Sequence, residues 1–248
     1  MKSEQFTLSP RSHWLRLALQ QGLAAGRANL KAGIFLWVLG TLIVLGYFYW
    51  SPCKQFLDAV GKAKEQYGIL FGVVSTSLFG GIIPTLLLMK QPGRKIAFRT
   101  LLVANALFWA FKGLELDVFY RAQALMFGDD NSSKTVVLKT LFDALVYAPI
   151  IGLANVILFN RWLDLRFSLS KLWSELNPNW YVTRVLPVLI SNWCVWIPAV
   201  VLIYLLPLAL QLPIQNLVLV FWMLVLAILS KHADANATDA STSTTTQD

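Results

Sequence analysis

Long runs without a charged side chain constrain this sequence more than any other feature. The clearest run extends from Ala32 to Trp50 (AGIFLWVLGTLIVLGYFYW) and approaches the roughly 20 residues that a helix needs to cross a bilayer core of about 30 Å. Lys31 precedes it and aromatic residues close it, as is typical at a membrane interface. We therefore predict a spanning helix. A cleaved signal peptide is the alternative, but the run starts late and lacks a small-residue cleavage pattern after it.

Further apolar runs recur along the chain, of which 56% is hydrophobic and only 14% charged, against about a quarter charged in soluble domains. The run from Tyr181 to Ser230 is long enough for two crossings, with the turn expected between Pro207 and Pro213. A single re-entrant hairpin is the alternative there. We predict an all-α, polytopic transmembrane helical bundle with about six spans. The predicted spans are 32–50, 68–89, 96–119, 136–159, 185–206 and 213–230.

The loops between these runs carry an uneven share of the basic residues. With six spans, fourteen Lys and Arg residues fall on the side of the N-terminus and seven on the opposite side. Because cytoplasmic loops carry the excess of positive charge, both termini are predicted on the cytoplasmic or equivalent side. A bacterial plasma membrane and an organellar membrane, either mitochondrial inner or peroxisomal, remain alternatives because both would give this bias.

The formal net charge of +8 indicates anionic lipid headgroups as partners, not nucleic acid, because the cations lie in interfacial loops. Residues 1–31 are predicted to be a basic amphipathic segment on the membrane surface, although an organellar targeting peptide would have the same composition. Residues 32–50 form an extra N-terminal span, 51–230 the main membrane domain and 231–248 a disordered polar tail. The leucines of the amphipathic stripe are Leu15, Leu19, Leu23 and Leu30.

Small residues recur at four-residue spacing in the second run, at Gly68, Gly72, Thr76 and Gly80. Such a ridge lets two membrane helices approach closely, because packing drives helix association in lipid. The ridge is expected either to pack within the monomer or to form the interface of a homo-oligomer.

Catalytic and metal-binding patterns are missing from the sequence. The two cysteines, Cys53 and Cys194, lie far apart, and both histidines lie in the terminal tails. Nothing here resembles a nucleophile set, a metal site or a glycine-rich phosphate loop. We therefore predict neither an enzyme nor a bound cofactor.

Asp143 is the most unusual residue of the apolar runs. A charge deep in a span costs roughly 2.5 to 3.5 kcal/mol unless it is paired, hydrated or protonated. Lys139 and Thr140 lie one helical turn before it and Tyr147 one turn after it, which predicts a polar stripe. The stripe either fixes packing, through a Lys139–Asp143 pair or an interhelical hydrogen bond, or lines a path for a solute or protons.

Four stretches occur in an order known from one family of small membrane proteins. GILFGVVSTSLFGGIIPTLL resembles that family's small-residue helix, with Gly81 and Thr85 in place of an acid and a glutamine. GLELDVFY resembles the end of its next helix and keeps the Leu-Asp pair at Leu116 and Asp117. KTLFDALVYAP resembles its Lys-x-x-x-Asp-Gln motif followed by Ala-Pro, with Ala144 in place of the glutamine.

The fourth stretch, NWCVWIPAVVLIYLLP followed by FWMLVLAILS, resembles the family's Asn-Trp and Trp-Pro signature with Ile197 inserted. From Phe56 to Ser230 the chain thus resembles the Mpv-seventeen/peroxisomal-membrane-protein-twenty-two family, as a divergent member with an extra N-terminal span. The resemblance and the polar stripe together give the candidate pore or packing residues. These are Asp143, Lys139, Tyr147, Pro149, Asn192, Trp196 and Pro198.

The resemblance implies a small-solute or ion channel-like protein in membrane homeostasis. The substitutions at Gly81, Thr85 and Ala144 remove polar groups that a pore could use. A non-catalytic membrane scaffold or assembly factor is the alternative function. A solvated cavity that reaches Asp143 would favour transport, whereas a dry, closed bundle would favour the scaffold.

Overall fold

A computed structural model describes residues 10–87 and 96–224, and within these residues the fold is all-α. Three helices contain a π-helical segment, at Ser77–Ile82, Asp143–Gly152 and Tyr181–Val185. The eight helices of the described residues are α1 (Pro10–Tyr49), α2 (Ser51–Tyr67), α3 (Ile69–Leu87), α4 (Phe98–Phe127), α5 (Ser133–Asp164), α6 (Leu169–Glu175), α7 (Tyr181–Tyr204) and α8 (Leu208–Leu224).

Four of these helices are long and apolar enough to cross a membrane, which identifies an integral membrane protein. They lie at Trp14–Tyr49, Ile69–Leu87, Ser133–Asp164 and Tyr181–Tyr204. Helix α4 covers residues 98–119 of the predicted span 96–119 and continues to Phe127, but it carries charged residues. Helix α8, Leu208–Leu224, begins before the predicted span 213–230 and overlaps it at residues 213–224. The residues after 224, including the predicted tail 231–248, lie outside the described part of the chain.

Helix α1 differs from the expectation of an interfacial segment followed by a separate span. It continues without interruption through residues 31 and 32 for 40 residues. The predicted leucine stripe points away from the protein, with Leu15, Leu19, Leu23 and Leu30 all exposed. The opposite face is made of small residues and packs along α7, where a Cβ on Gly26 would lie only 2.9 Å from Sγ of Cys194. Close packing against α7 explains why residues 10–31 stay within the bundle.

Helix α2 is an amphipathic helix that links α1 to α3. Pro52 lies in its first turn, where a missing N–H costs nothing, and Gly68 ends it with a φ of 53°. Its buried face consists of Leu57, Gly61 and Lys64. A Cβ on Gly61 would lie 3.5 Å from Ala209 and from Leu210, so α2 covers the beginning of α8.

The turn between α7 and α8 ends at Pro207, earlier than expected. Leu210 donates its backbone N–H to the Pro207 carbonyl, and the Gln211 side chain donates to the Leu206 carbonyl at 3.1 Å. These bonds form the first turn of α8, so Pro213 lies inside the helix instead of marking the turn. The chain therefore forms two separate apolar helices.

Helix α8 lies in the centre of the bundle. Leu210, Ile214 and Val218 pack with Leu36 of α1 and Val195 of α7 in one buried cluster. A second cluster joins Leu212 of α8 to α4, α5 and α7. Its members are Leu116, Tyr120, Val136, Tyr147, Tyr204 and Leu212. Polar residues of α8 also reach its neighbours, since Asn216 accepts a hydrogen bond from Thr76 of α3 at 3.0 Å.

Candidate functional site

Three charged residues of α4, namely Lys112, Glu115 and Asp117, point into the protein. Lys112 is buried and forms an ion pair with Glu115, and it also donates hydrogen bonds to the hydroxyl of Tyr147 (3.2 Å) and the carbonyl of Gly152 (3.5 Å). Glu115 in turn accepts from Tyr147 at 2.5 Å and from Asn155 at 3.3 Å. This network joins α4 to α5 and leaves no net charge, which is how a buried ion can be accommodated.

A second buried ion group joins α4 to α2. Asp117 is only 2% exposed and accepts from Lys64, which is itself buried, and from Nε of Arg121 at 2.9 Å. Lys64 also donates to the carbonyl of Gly68 at 3.3 Å. Arg121 is half exposed, so this group lies where the bundle meets its surroundings.

Asp143 has a different environment. The Tyr204 hydroxyl of α7 donates to its Oδ2 at 2.8 Å, so an interhelical hydrogen bond is present. The ion pairs of the described residues do not include one between Lys139 and Asp143. Instead, Nζ of Lys139 lies over the Tyr204 ring, 5.9 Å from its centroid. The expected local pair is therefore replaced by contacts that both residues make with Tyr204.

A cavity of about 250 Å³, here named the inner cavity, lies between α4, α5, α7 and α8. Four of the predicted candidates line it, together with residues that were not predicted from the sequence, including Tyr120 and Gln215. Its aromatic lining residues are Trp109, Tyr120, Tyr147, Trp196 and Trp222, and its polar ones are Lys112, Asp143, Asn192 and Gln215.

Three candidates do not line this cavity. Lys139 is fully buried beside Tyr204. Pro149 lies within the π-helical segment of α5, where its carbonyl accepts from the Tyr181 hydroxyl at 3.0 Å. Pro198 lies inside α7. The two prolines shape helices that border the cavity, and Lys139 lies next to a residue that binds Asp143.

A second cavity of about 480 Å³, the end cavity, lies between α2, α4 and the beginning of α8. Charged residues dominate its lining, namely Lys64, Glu65, Asp117, Arg121 and Asp129. Tyr120 lines both cavities, is 4% exposed and donates its hydroxyl hydrogen to Oε1 of Gln215 at 3.2 Å. The phenol ring thus stands between the two spaces.

The small residues of α3 bring it close to α4 and α8. A Cβ on Gly72 would lie 2.9 Å from Leu212 Cδ2 and 3.1 Å from the Gly113 carbonyl oxygen, and one on Gly80 would lie 2.5 Å from the Trp109 ring. Thr76 bonds to Asn216. Gly68 does not belong to this ridge, because it forms the break between α2 and α3. The atom nearest to a Cβ on Gly68 would be a guanidinium nitrogen of Arg121, 3.9 Å away.

The polar lining of α4 had a signal in the sequence. Lys112, Leu116, Tyr120 and Gln123 follow one another at spacings of four, four and three, which places them on one helical face. Tyr204 on α7 had no such signal, because it is a single polar residue in an apolar run. Gln215 on α8 had one, because it lies one helical turn after Gln211 and directly before Asn216. Among the described residues, no group of His, Cys, Asp or Glu is arranged to hold a metal ion.

No protein-family model, no curated protein and no solved structure matches this chain. The resemblance stated above is carried by the order of its motifs.

Proposed function

We propose that the chain is a channel-like integral membrane protein that lets small solutes or ions cross the bilayer and serves membrane homeostasis, without catalytic activity. The observation that carries this proposal is the inner cavity, because it reaches Asp143 and brings the polar side chains of Lys112, Asn192 and Gln215 to one space between four helices. Polar and ionisable groups within membrane spans are costly and usually mark a pathway.

The proposal includes α4 and α8 as the fifth and sixth spans. The charges of α4 at Lys112, Glu115 and Asp117 are all paired inside the protein. Its outward face consists of exposed apolar residues, namely Val103, Leu107, Phe111, Leu114 and Val118. Between Val103 and Val118 the helix can therefore face lipid without exposing a charge, and its exposed Arg99 and Arg121 lie near the two ends. Helix α8 is surrounded by α1, α3, α4 and α7, so its position inside the bundle supports a crossing as well.

The two cavities suggest the direction of the path. The end cavity, with its charged lining, would collect solute at one face of the membrane, and the inner cavity would hold it at depth. Tyr120 separates them and would act as the barrier of the resting state. We further propose that the chain is a divergent member of the Mpv-seventeen/peroxisomal-membrane-protein-twenty-two family, on the basis of its motif order.

A membrane scaffold is the second candidate function, and the position of α8 favours it. An apolar helix fills the bundle axis, so the described residues contain no open central pore. A scaffold needs only a stable bundle with lipid-facing and partner-facing surfaces.

Electrical recording in planar bilayers separates the two functions. Purified protein in bilayers with salt gradients should give reproducible conductance, and mock-purified detergent micelles should give none. Liposome flux of small solutes should rise in parallel. Silence of folded, reconstituted protein in both assays would contradict the channel and favour the scaffold.

A further inference from the structure

We infer that the inner cavity is a binding site for a small organic cation of the ammonium type, with Asp143 as its counter-charge and the Trp196 indole as its aromatic wall. The inference rests on the proposed function, since it names the class of solute that the cavity holds. It does not depend on whether that solute crosses the membrane.

The charge balance of the lining is the first argument. Lys112 is neutralised by Glu115, so this pair contributes no net charge. Asp143 forms no ion pair with any described residue, and its Oδ2 accepts from Tyr204 while Oδ1 receives no hydrogen bond from the described side chains. A carboxylate that lines a cavity with one free oxygen and no counter-ion favours a cationic occupant.

The aromatic lining is the second argument. Three indoles and two phenols border the cavity, at Trp109, Trp196, Trp222, Tyr120 and Tyr147. The face of an aromatic ring attracts a cation, and indole does so best. Trp196 is assigned as the wall because, alone among these five rings, it lines both the inner cavity and a neighbouring small crevice together with Asp143 and Asn192. Apolar methyl groups of a substituted ammonium would contact the same rings.

Cavity size and the remaining polar groups also suit such a ligand. The cavity volume of about 250 Å³ is sufficient for a choline-sized ligand. Within the described residues the Asn192 side chain makes no hydrogen bond, so it can pair with a hydroxyl or N–H of the ligand. Lys139, the nearest other cation on α5, does not line the cavity and lies against the Tyr204 ring.

Equilibrium binding in detergent tests this assignment. Choline chloride is titrated into the purified protein by calorimetry and by quenching of tryptophan fluorescence. Its neutral carbon isostere, 3,3-dimethyl-1-butanol, and potassium chloride are the matched ligands. Asp143→Asn removes the charge but keeps an acceptor for Tyr204, and Trp196→Leu removes the ring. Asp58→Asn, on the exposed face of α2, is the matched control substitution.

Choline should bind the wild type and Asp58→Asn equally, and both other ligands should bind at least about tenfold more weakly. Asp143→Asn and Trp196→Leu should each weaken choline binding by about tenfold or more while eluting as folded protein. Equal binding of choline and 3,3-dimethyl-1-butanol would overturn the inference, and so would unchanged choline binding by folded Asp143→Asn. Potassium binding as tight as that of choline would refute the role of the aromatic wall. Choline binding without conductance would contradict only the channel proposal. Conductance without choline binding would refute only the proposed ammonium-binding site.

Discussion

The indole N–H of Trp193 in α7 donates a hydrogen bond of 2.8 Å to the backbone carbonyl of Ala144 in α5. In a π-helical segment each carbonyl accepts from the N–H five residues later. Five residues after Ala144 stands Pro149, which has no N–H. Trp193 therefore supplies the donor that the helix itself cannot, and it fixes α7 to α5 beside Asp143.

Replacing Trp193 by Phe should destabilise the folded protein by about 1 to 3 kcal/mol, because it leaves the Ala144 carbonyl without a donor in an apolar setting. Unfolding in detergent by heat or denaturant measures the loss. Trp37→Phe is the matched control, since Trp37 also donates at 2.8 Å to a helix carbonyl, that of Val195, but the N–H of Ala199 is available to that carbonyl. An equal loss in both variants would mean that ring packing, not the orphan carbonyl, sets the cost.

Replacing Gly113 by Ala should separate α3 from α4. A Cβ at this position would lie 2.2 Å from the Gly72 carbonyl oxygen, so backbone must move, and overpacking of this kind costs about 1 to 3 kcal/mol. Melting of the detergent-solubilised protein measures the effect. Gly61→Ala should be nearly neutral, because its Cβ would meet Ala209 and Leu210 at an ordinary 3.5 Å. A Gly113→Ala protein as stable as Gly61→Ala would show that the ridge contact is loose.

The hydrophobic runs predicted the membrane class and about six spans, and four of these correspond to helices that are long and apolar enough to cross a membrane. They did not predict that α1 continues through Lys31, since its packing depends on the glycines that face α7. The turn between α7 and α8 was predicted between Pro207 and Pro213, but it ends at Pro207, and Pro213 lies inside α8. Proline is tolerated in an early turn of a helix as well as in a loop, so Pro213 did not mark the turn.

Of the candidate residues, Asp143 and Tyr147 were predicted from the polar stripe along α5, and Asn192 and Trp196 from the motif order. All four line the inner cavity. The pairing of Lys139 with Asp143 followed from their spacing alone, and Tyr204, 61 residues away from Asp143, competes successfully for the carboxylate. Periodicity gives the face of a helix but not the helix that this face meets, so such a partner cannot be read from sequence.

Asp143→Asn should leave the fold intact and weaken any cation preference of the conductance. The amide oxygen can still accept from Tyr204, but the negative charge in a low-dielectric passage is lost. Reversal potentials under a salt gradient measure this preference, with Asp58→Asn as the control. If both variants keep the wild-type reversal potential, Asp143 has a packing role only.

Removing the Tyr120 ring should open the connection between the two cavities. Tyr120→Ala is expected to raise resting conductance or liposome flux several-fold above that of the wild type, because the ring lines both spaces. Tyr120→Phe keeps the ring and loses only the hydrogen bond to Gln215, so its flux should stay near the wild-type value. Equal flux in all three proteins would place the barrier elsewhere.

The sidedness predicted from loop charge can be mapped with a membrane-impermeant thiol reagent. In a background with Cys53 and Cys194 replaced by alanine, Lys62→Cys on α2 and Lys171→Cys on α6 present exposed thiols. Six spans with both termini on the cytoplasmic side place Lys171 on that side and Lys62 on the other. Labelling of both positions from the same side of the membrane would contradict this topology.

Chain order gives the central helix a role in biosynthesis. Helix α8 follows in sequence every helix that surrounds it, and Leu36, Thr76, Tyr120 and Val195 all find partners on it. The hydroxyl of Thr76 emerges from the ribosome 140 residues before Asn216, to which it donates. Until then the earlier helices reside in the translocon or lipid with an unfilled groove and unmatched polar groups. Docking of α8 is therefore a late, cooperative step, in which a defect in α8 leaves the helices that pack against it incompletely packed.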